Sequence, residues 1–140
     1  MRHGVKKIKF NAGIDANKML VRKLALSFLS KGYLQTTLPK ARVLKTHIEK
    51  LVSKMKVKNE ANKNFLLRYL ADGQAVNDGF DRVGPALMKI NGGYIRIVKL
   101  GMRTDDGAAM AKVQWAYPVV KEEVKKPLKN EKSNKTDKTS

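Results

Sequence analysis

Positive charge dominates this sequence and limits how it can fold. Thirty lysine and arginine residues stand against twelve acidic residues, so the 140-residue chain has a formal net charge of +18 at pH 7. A field of one sign weakens a compact state through self-repulsion, and it favours a polyanionic partner, most often nucleic acid and sometimes an anionic membrane surface. We therefore expect a protein that works in contact with a polyanion.

The length suits one compact domain with its own hydrophobic core, and the composition narrows the class further. The chain has no cysteine, which excludes disulfides, thiolate metal sites and cysteine nucleophiles and fits a reducing compartment. The best apolar stretch, residues 24–29, falls far short of the roughly 20 residues that a membrane helix needs. The basic start is not followed by the apolar core of a secretory signal, so we expect a cytoplasmic protein.

The first third of the chain predicts an arm, a helix and a strand. Residues 1–14 are basic and glycine-containing, which is typical of an extended arm. Asp15 is expected to cap a helix that stops near Gly32. The apolar stripe of this helix recurs every fourth residue, at Ala16, Leu20, Leu24 and Phe28. Residues 33–37 are rich in aromatic and β-branched side chains and predict a short strand.

Three further helices are predicted in the middle of the chain. Thr37 is expected to cap the second helix, with Pro39 tolerated in its first turn. Its apolar face is the clearest in the sequence: Ala41, Leu44, Ile48, Leu51, Val52 and Met55. Residues 59–71 and 75–83 predict the third and fourth helices, and Gly84-Pro85 is expected to break the fourth.

The last part of the folded region predicts a β-hairpin. Residues 94–100 follow a Gly92-Gly93 turn and have strand composition, and residues 113–117 alternate in polarity. The turn signature Thr-Asp-Asp-Gly lies between them, so we expect an antiparallel hairpin with a longish loop over residues 101–110. The order is helix, strand, three helices and two strands, which is an α+β chain.

The C-terminal residues 121–140 are predicted to be a disordered tail, because apolar residues nearly vanish there. Seven lysines and four acids give this tail a net charge of +3, which leaves +15 on residues 1–120. The charge therefore belongs to the folded part. We expect an arm over residues 1–14, one α+β nucleic-acid-binding domain over residues 15–120, and the tail.

Candidates for catalysis are few and have simpler explanations. His47 lies in the middle of a predicted helix, and His3 lies in the arm. Asp105 and Asp106 are adjacent in a predicted turn, where aspartate commonly makes local hydrogen bonds. Gly92-Gly93 lacks the spacing of a nucleotide-binding loop. We expect no enzymatic activity, no metal, no cofactor and no small-molecule substrate.

The remaining functional signal is a set of cations spread over several elements. Acidic residues are too few to pair with them, whereas phosphate neutralisation with counterion release explains the surplus. The residues expected to contact nucleic acid include Lys6, Lys7, Lys9, Lys18, Arg22, Lys40, Arg42, Lys45, Arg96, Lys99 and Arg103. Two alternatives stay open: a free DNA-binding or regulatory factor, and an RNA-modifying enzyme.

Several segments, in order and with matching spacing, resemble the bacterial large-subunit ribosomal protein L-seventeen family. They are Met1-Arg2-His3, the Thr-Thr-Leu-Pro-Lys-Ala run at residues 36–41, Gly92-Gly93-Tyr94, and Arg96, Ile97, Lys99, Gly101, Arg103, Asp106, Met110 and Ala111. The resemblance spans residues 1–117. Residues 4–17 depart from the family pattern, with lysines where arginines are usual, and Asp105 replaces a usual glycine.

The resemblance implies a fold, a function and partners. The fold would be a two-layer α-β-α-α-α-β-β arrangement with a small three-stranded sheet packed on helices. The function would be that of a structural constituent of the large subunit, one copy each, near the nascent-chain exit side. The partners would be ribosomal RNA and neighbouring ribosomal proteins, including the small protein L-thirty-two. RNA contacts would come from Arg2, His3, Arg22, Lys40, Tyr94, Arg96 and Arg103.

Overall fold

A computed structural model describes residues 8, 10 and 13–119 of the chain. The elements are α1 (Ile14–Lys31), β1 (Tyr33–Thr37), α2 (Leu38–Met55), α3 (Glu60–Leu70), α4 (Gly73–Asp78), a π-helical segment (Gly79–Val83), a short α5 (Gly84–Ala86), β2 (Ile95–Met102) and β3 (Ala109–Trp115). The predicted α+β order is confirmed. The predicted disordered tail, residues 121–140, lies outside the described residues.

The three strands form one antiparallel sheet in the order β1-β3-β2. Leu34 pairs with Val113, and Ile97 pairs with Val113 from the other side, so these side chains share the face toward the helices. The predicted hairpin is confirmed, but its loop is shorter than expected. The strands extend to Met102 and Ala109, and a register shift between Lys99 and Gly101 accommodates one extra residue.

Helix α2 occupies the centre of the core. Its predicted apolar face is confirmed, since all six residues are at most 1% exposed: Ala41, Leu44, Ile48, Leu51, Val52 and Met55. The face packs against all three strands and against α1, α3 and the π-helical segment. Thr37 is the N-cap residue, as predicted, although its side chain makes no capping hydrogen bond.

Helix α1 differs from its prediction in two respects. Its buried residues are Val21, Ala25, Phe28 and Leu29, whereas the predicted Ala16 is exposed. A row of residues four apart turns by about 40° around the helix at each step, so a long row cannot stay on one buried face. The N-cap is Gly13 rather than Asp15, which lies in the first turn. The predicted stop at Gly32 is confirmed by its left-handed φ of 81°.

The predicted break at Gly84-Pro85 is wrong, because helical backbone continues through both residues to Ala86. The π-helical segment before them widens the turn, and the Gly84 amide donates to the Gly79 carbonyl five residues back. Gly84 itself lies against α2. A Cβ at this position would stand 2.4 Å from the Met55 carbonyl oxygen, so only glycine fits.

We predict that Gly84→Ala destabilises the protein by at least about 2 kcal/mol, because the added methyl group meets backbone that cannot move without displacing α2. Urea unfolding followed by circular dichroism measures the loss. Gly92→Ala is the matched control, since a Cβ at Gly92 meets nothing within 4 Å, and its change should stay within about 0.5 kcal/mol. Equal stability of the two variants would contradict the packing argument.

Candidate nucleic-acid interface

The predicted contacts of the arm cannot be placed. Arg2, His3, Lys6, Lys7 and Lys9 all lie outside the described residues. The part of the arm that is described consists of Ile8, Phe10, Gly13 and Ile14, of which Ile14 already begins α1. The Asn17 side-chain amide donates to the Phe10 carbonyl oxygen at 3.2 Å.

The two predicted contacts on α1 have different surroundings. Lys18 is exposed, with its ammonium 3.5 Å from the Asp15 carboxylate in a solvent-screened pair of little energetic value. Arg22 is half-buried, and its Nε donates to the Tyr69 carbonyl oxygen at 2.9 Å. Its Nη2 donates to the Arg68 carbonyl oxygen at 3.4 Å. Carbonyls at a helix C-terminus carry partial negative charge, so Arg22 holds the end of α3 against α1.

The cations at the start of α2 have no such partners. Arg42 is exposed, and Lys40 and Lys45 are half-buried. Within residues 13–119 none of the three takes part in an ion pair or a side-chain hydrogen bond. Their positive charge is therefore uncompensated by nearby carboxylates.

The packing of α2 on the hairpin brings Lys45 and Arg96 together. Both line a groove of about 460 Å³, together with Gly93 and Tyr117. Arg96 pairs with Gln114 in the sheet register, is exposed, and makes no ion pair in the described part of the chain. Lys99, three residues along β2, is also exposed and unpaired there. Lys45 and Arg96, 51 positions apart in sequence, thus meet in one groove. We use the name α2–β2 surface for the predicted RNA-contact cations of these two elements, Lys40, Arg42, Lys45, Arg96 and Lys99.

Arg103 is engaged within its own hairpin loop. Its Nε lies 2.9 Å from Oδ1 of Asp106 and its Nη2 lies 2.5 Å from Oδ2, a forked ion pair. The Ala108 amide also donates to this carboxylate. The hydrogen bonds from Arg103 are the main reason that the pKa of Asp106 is lowered to about 2. The interpretation of the adjacent aspartates as turn residues is confirmed for Asp106. The charge of Arg103 is partly neutralised by this carboxylate, which the sequence did not indicate.

Tyr94 does not fit the predicted RNA contact. The residue is 3% exposed and belongs to the core, and the Lys56 ammonium lies 4.7 Å from the centre of its ring. Burial leaves no ring face for a base to stack on. The strand pattern did not indicate this burial, because Tyr94 stands two residues before the exposed Arg96 and alternation would place both side chains on one face.

His47 is half-buried and shares a hydrogen bond with the Tyr69 hydroxyl through Nδ1. Burial lowers its pKa, and the charge of Lys50 lowers it further. Burial also raises the pKa of Tyr69 to about 12. These two groups satisfy one another, and His47 lies in the middle of a helix, as predicted.

Sequence reasoning missed three side chains at the surface. Phe65 is an apolar residue of the predicted third helix but is 42% exposed. Arg68 is exposed on the next turn of α3. Lys112 lies opposite Val98 in the sheet register, and its ammonium stands 5.2 Å from the centre of the Tyr33 ring. The alternation in β3 could have placed Lys112 on the outer face of the sheet.

The described helices include none that is long and apolar enough to cross a membrane. Among residues 8, 10 and 13–119 there is also no group of three or more histidine, cysteine, aspartate or glutamate side chains arranged to hold a metal ion.

The fold and the surface charge define a small, strongly basic α+β protein of the kind that works with a polyanion. The model of the family described as Ribosomal protein L17 matches residues 20–116. The chain is 34% identical to the large ribosomal subunit protein bL17 of Coprothermobacter proteolyticus over 116 residues, which cover 83% of this chain and 99% of the relative. The chain belongs to the ribosomal protein L17 family.

Two further relatives support this assignment. The large ribosomal subunit protein bL17 of Mesorhizobium japonicum is 36% identical, over 82% of this chain and 80% of the relative. That of Fervidobacterium nodosum is also 36% identical, over 81% of this chain and 98% of the relative. The resemblance inferred from the sequence is thereby confirmed, and with it the expected location on the cytoplasmic ribosome.

We predict that the Arg103–Asp106 ion pair stabilises the hairpin only while Asp106 is ionised. The folded-state pKa of about 2 lies below the ordinary value of 3.8, so the stabilisation is complete above about pH 4 and is lost as the pH falls through 2. Urea unfolding of the parent protein and of Asp106→Asn should differ at pH 6 and converge toward pH 2. A difference that stays constant over this range would contradict the prediction.

Proposed function

We propose that this protein is a structural constituent of the large ribosomal subunit that binds folded ribosomal RNA through phosphate contacts, with no catalysis of its own. The observation that carries the proposal is the α2–β2 surface, where five cations stand without acidic partners in the described part of the chain. Family membership supports the ribosomal setting, since the relatives are named as large-subunit proteins.

The phosphate argument follows from the geometry of this surface. Its cations are carried by a helix with one buried face and by a paired strand, so little backbone conformational entropy is lost when they engage RNA. Arg42 and Arg96 can each present a fork of donors to a phosphate, which a lysine ammonium cannot. Each phosphate neutralised releases counterions and makes binding weaker at higher salt.

We further propose the division of the chain and its partners. Residues 15–120 would form the RNA-binding domain, with the arm of residues 1–14 adding contacts and the tail of residues 121–140 outside the folded unit. One copy would lie in each large subunit beside neighbouring ribosomal proteins, including the small protein L-thirty-two. Arg2, His3 and the lysines at positions 6, 7 and 9 would serve as the contacts of the arm.

We predict that the triple variant Arg42→Gln, Lys45→Gln, Arg96→Gln binds large-subunit RNA with a weaker salt dependence. The slope of log affinity against log salt should become less negative by roughly 0.9 for each duplex phosphate that the variant no longer neutralises. Fluorescence anisotropy with labelled RNA fragments at several salt concentrations measures the slope. The variant should not unfold at a lower temperature, because none of the three side chains pairs within the described residues and the loss of positive charge relieves self-repulsion.

The matched control removes the same charge elsewhere, in the variant Lys31→Gln, Lys63→Gln, Lys89→Gln, whose three side chains are exposed. An equal change of slope in both variants would show that net charge rather than the α2–β2 surface governs binding. Sedimentation of tagged protein through a sucrose gradient at moderately high salt tests the ribosomal role itself. A free or DNA-associated fraction in place of comigration with large subunits would overturn the proposal.

A further inference from the structure

A second groove lies away from the α2–β2 surface, between α1, α2 and α3. Its volume is about 730 Å³, within the range of ligand-binding pockets. The rings of Phe65, Tyr69 and His47 line it, together with Ile8 and Phe10 of the arm. None of these residues was predicted to contact RNA.

The aromatic residues form a platform rather than a closed core. The rings of Phe65 and Tyr69 lie on successive turns of α3, nearly parallel at 19° with centroids 6.5 Å apart. The ring of His47 follows at 5.6 Å from Tyr69. Phe65 is 42% exposed, which is unusual for a phenylalanine with large neighbouring rings, because such rings gain free energy by complete burial.

The charges around the platform are all positive. Lys18, Arg22 and Arg68 line the groove, and none of the lining residues is acidic. Arg22 is engaged with the end of α3, and Lys18 is paired at the surface with Asp15, whereas the side chain of Arg68 has no hydrogen-bond or ion-pair partner among the described residues. Arg68 lies three positions after Phe65, so the two side chains are neighbours on one helix face.

We infer that this groove takes an unpaired base of folded RNA, stacked on the exposed ring of Phe65 with its phosphate near Arg68. The inference deepens the proposed function and rests on it. Exposed aromatic rings beside cations are the usual means by which proteins hold unstacked RNA bases, since every base has a π-face and carries a phosphate. A peptide segment of a neighbouring protein could pack on the apolar side chains of the groove. A basic residue of that peptide would have no acidic lining residue to pair with.

The test compares two RNAs and uses the full chain. Phe65→Leu should bind a labelled six-nucleotide uridine strand about tenfold more weakly than the parent protein, because a leucine fills space but cannot stack. Binding to a blunt RNA duplex, which offers no unpaired base, should stay within twofold. Phe65→Trp should restore or exceed the parent affinity for the single strand. Tyr33→Leu, which removes an exposed ring on the sheet, is the matched control and should bind as the parent does.

The outcomes are distinguishable from those of the proposed function. Equal single-strand affinity of Phe65→Leu and the parent would overturn the stacking inference, and so would an equal loss in Tyr33→Leu. If Phe65→Leu fails to join large subunits while its single-strand affinity is unchanged, the groove docks a protein segment, and the inference is overturned. In all three cases, the triple variant at the α2–β2 surface would still test the proposed function separately.

Discussion

Burial of one face of α2 is the interaction on which the rest of the structure depends. Six side chains from Ala41 to Met55 are at most 1% exposed, and each large one contributes roughly 1.5–3 kcal/mol relative to exposure. The sheet, α1 and α3 all pack on this one face. The close approach of Gly84 to the Met55 backbone extends the same contact to α5, directly after the π-helical segment.

The buried face also fixes the surface. Because a helix presents its sides at set angles, burial of Leu44 and Ile48 turns Arg42 and Lys45 away from the centre of the core. The contact between α2 and β2 then brings Lys45 beside Arg96, although nothing in the sequence indicates that these two residues are neighbours. Cations held in this manner meet a phosphate with a backbone that is already ordered.

The sequence predicts best where local periodicity decides the outcome. The face of α2 follows from periodicity alone, because one side of the helix is buried and the other faces solvent. The helical path through Pro85 could not be predicted, since it depends on a π turn and on Gly84 meeting distant backbone. The same holds for the candidate site. Composition indicates an excess of cations, but only tertiary structure shows that Arg22 is bound to carbonyls of α3 and that Tyr94 is buried.

The excess positive charge destabilises the free protein but favours its complex with RNA. Residues 1–120 carry a net +15, and the described part of the chain has three ion pairs, all exposed at the surface. Salt screens the resulting repulsion over about 10 Å at 0.1 M, which stabilises the free fold, but salt also weakens binding to RNA. A polyanion that binds only the folded chain stabilises it by mass action, most strongly at low salt, where self-repulsion is greatest. The charge that destabilises the free domain therefore favours its assembly with RNA.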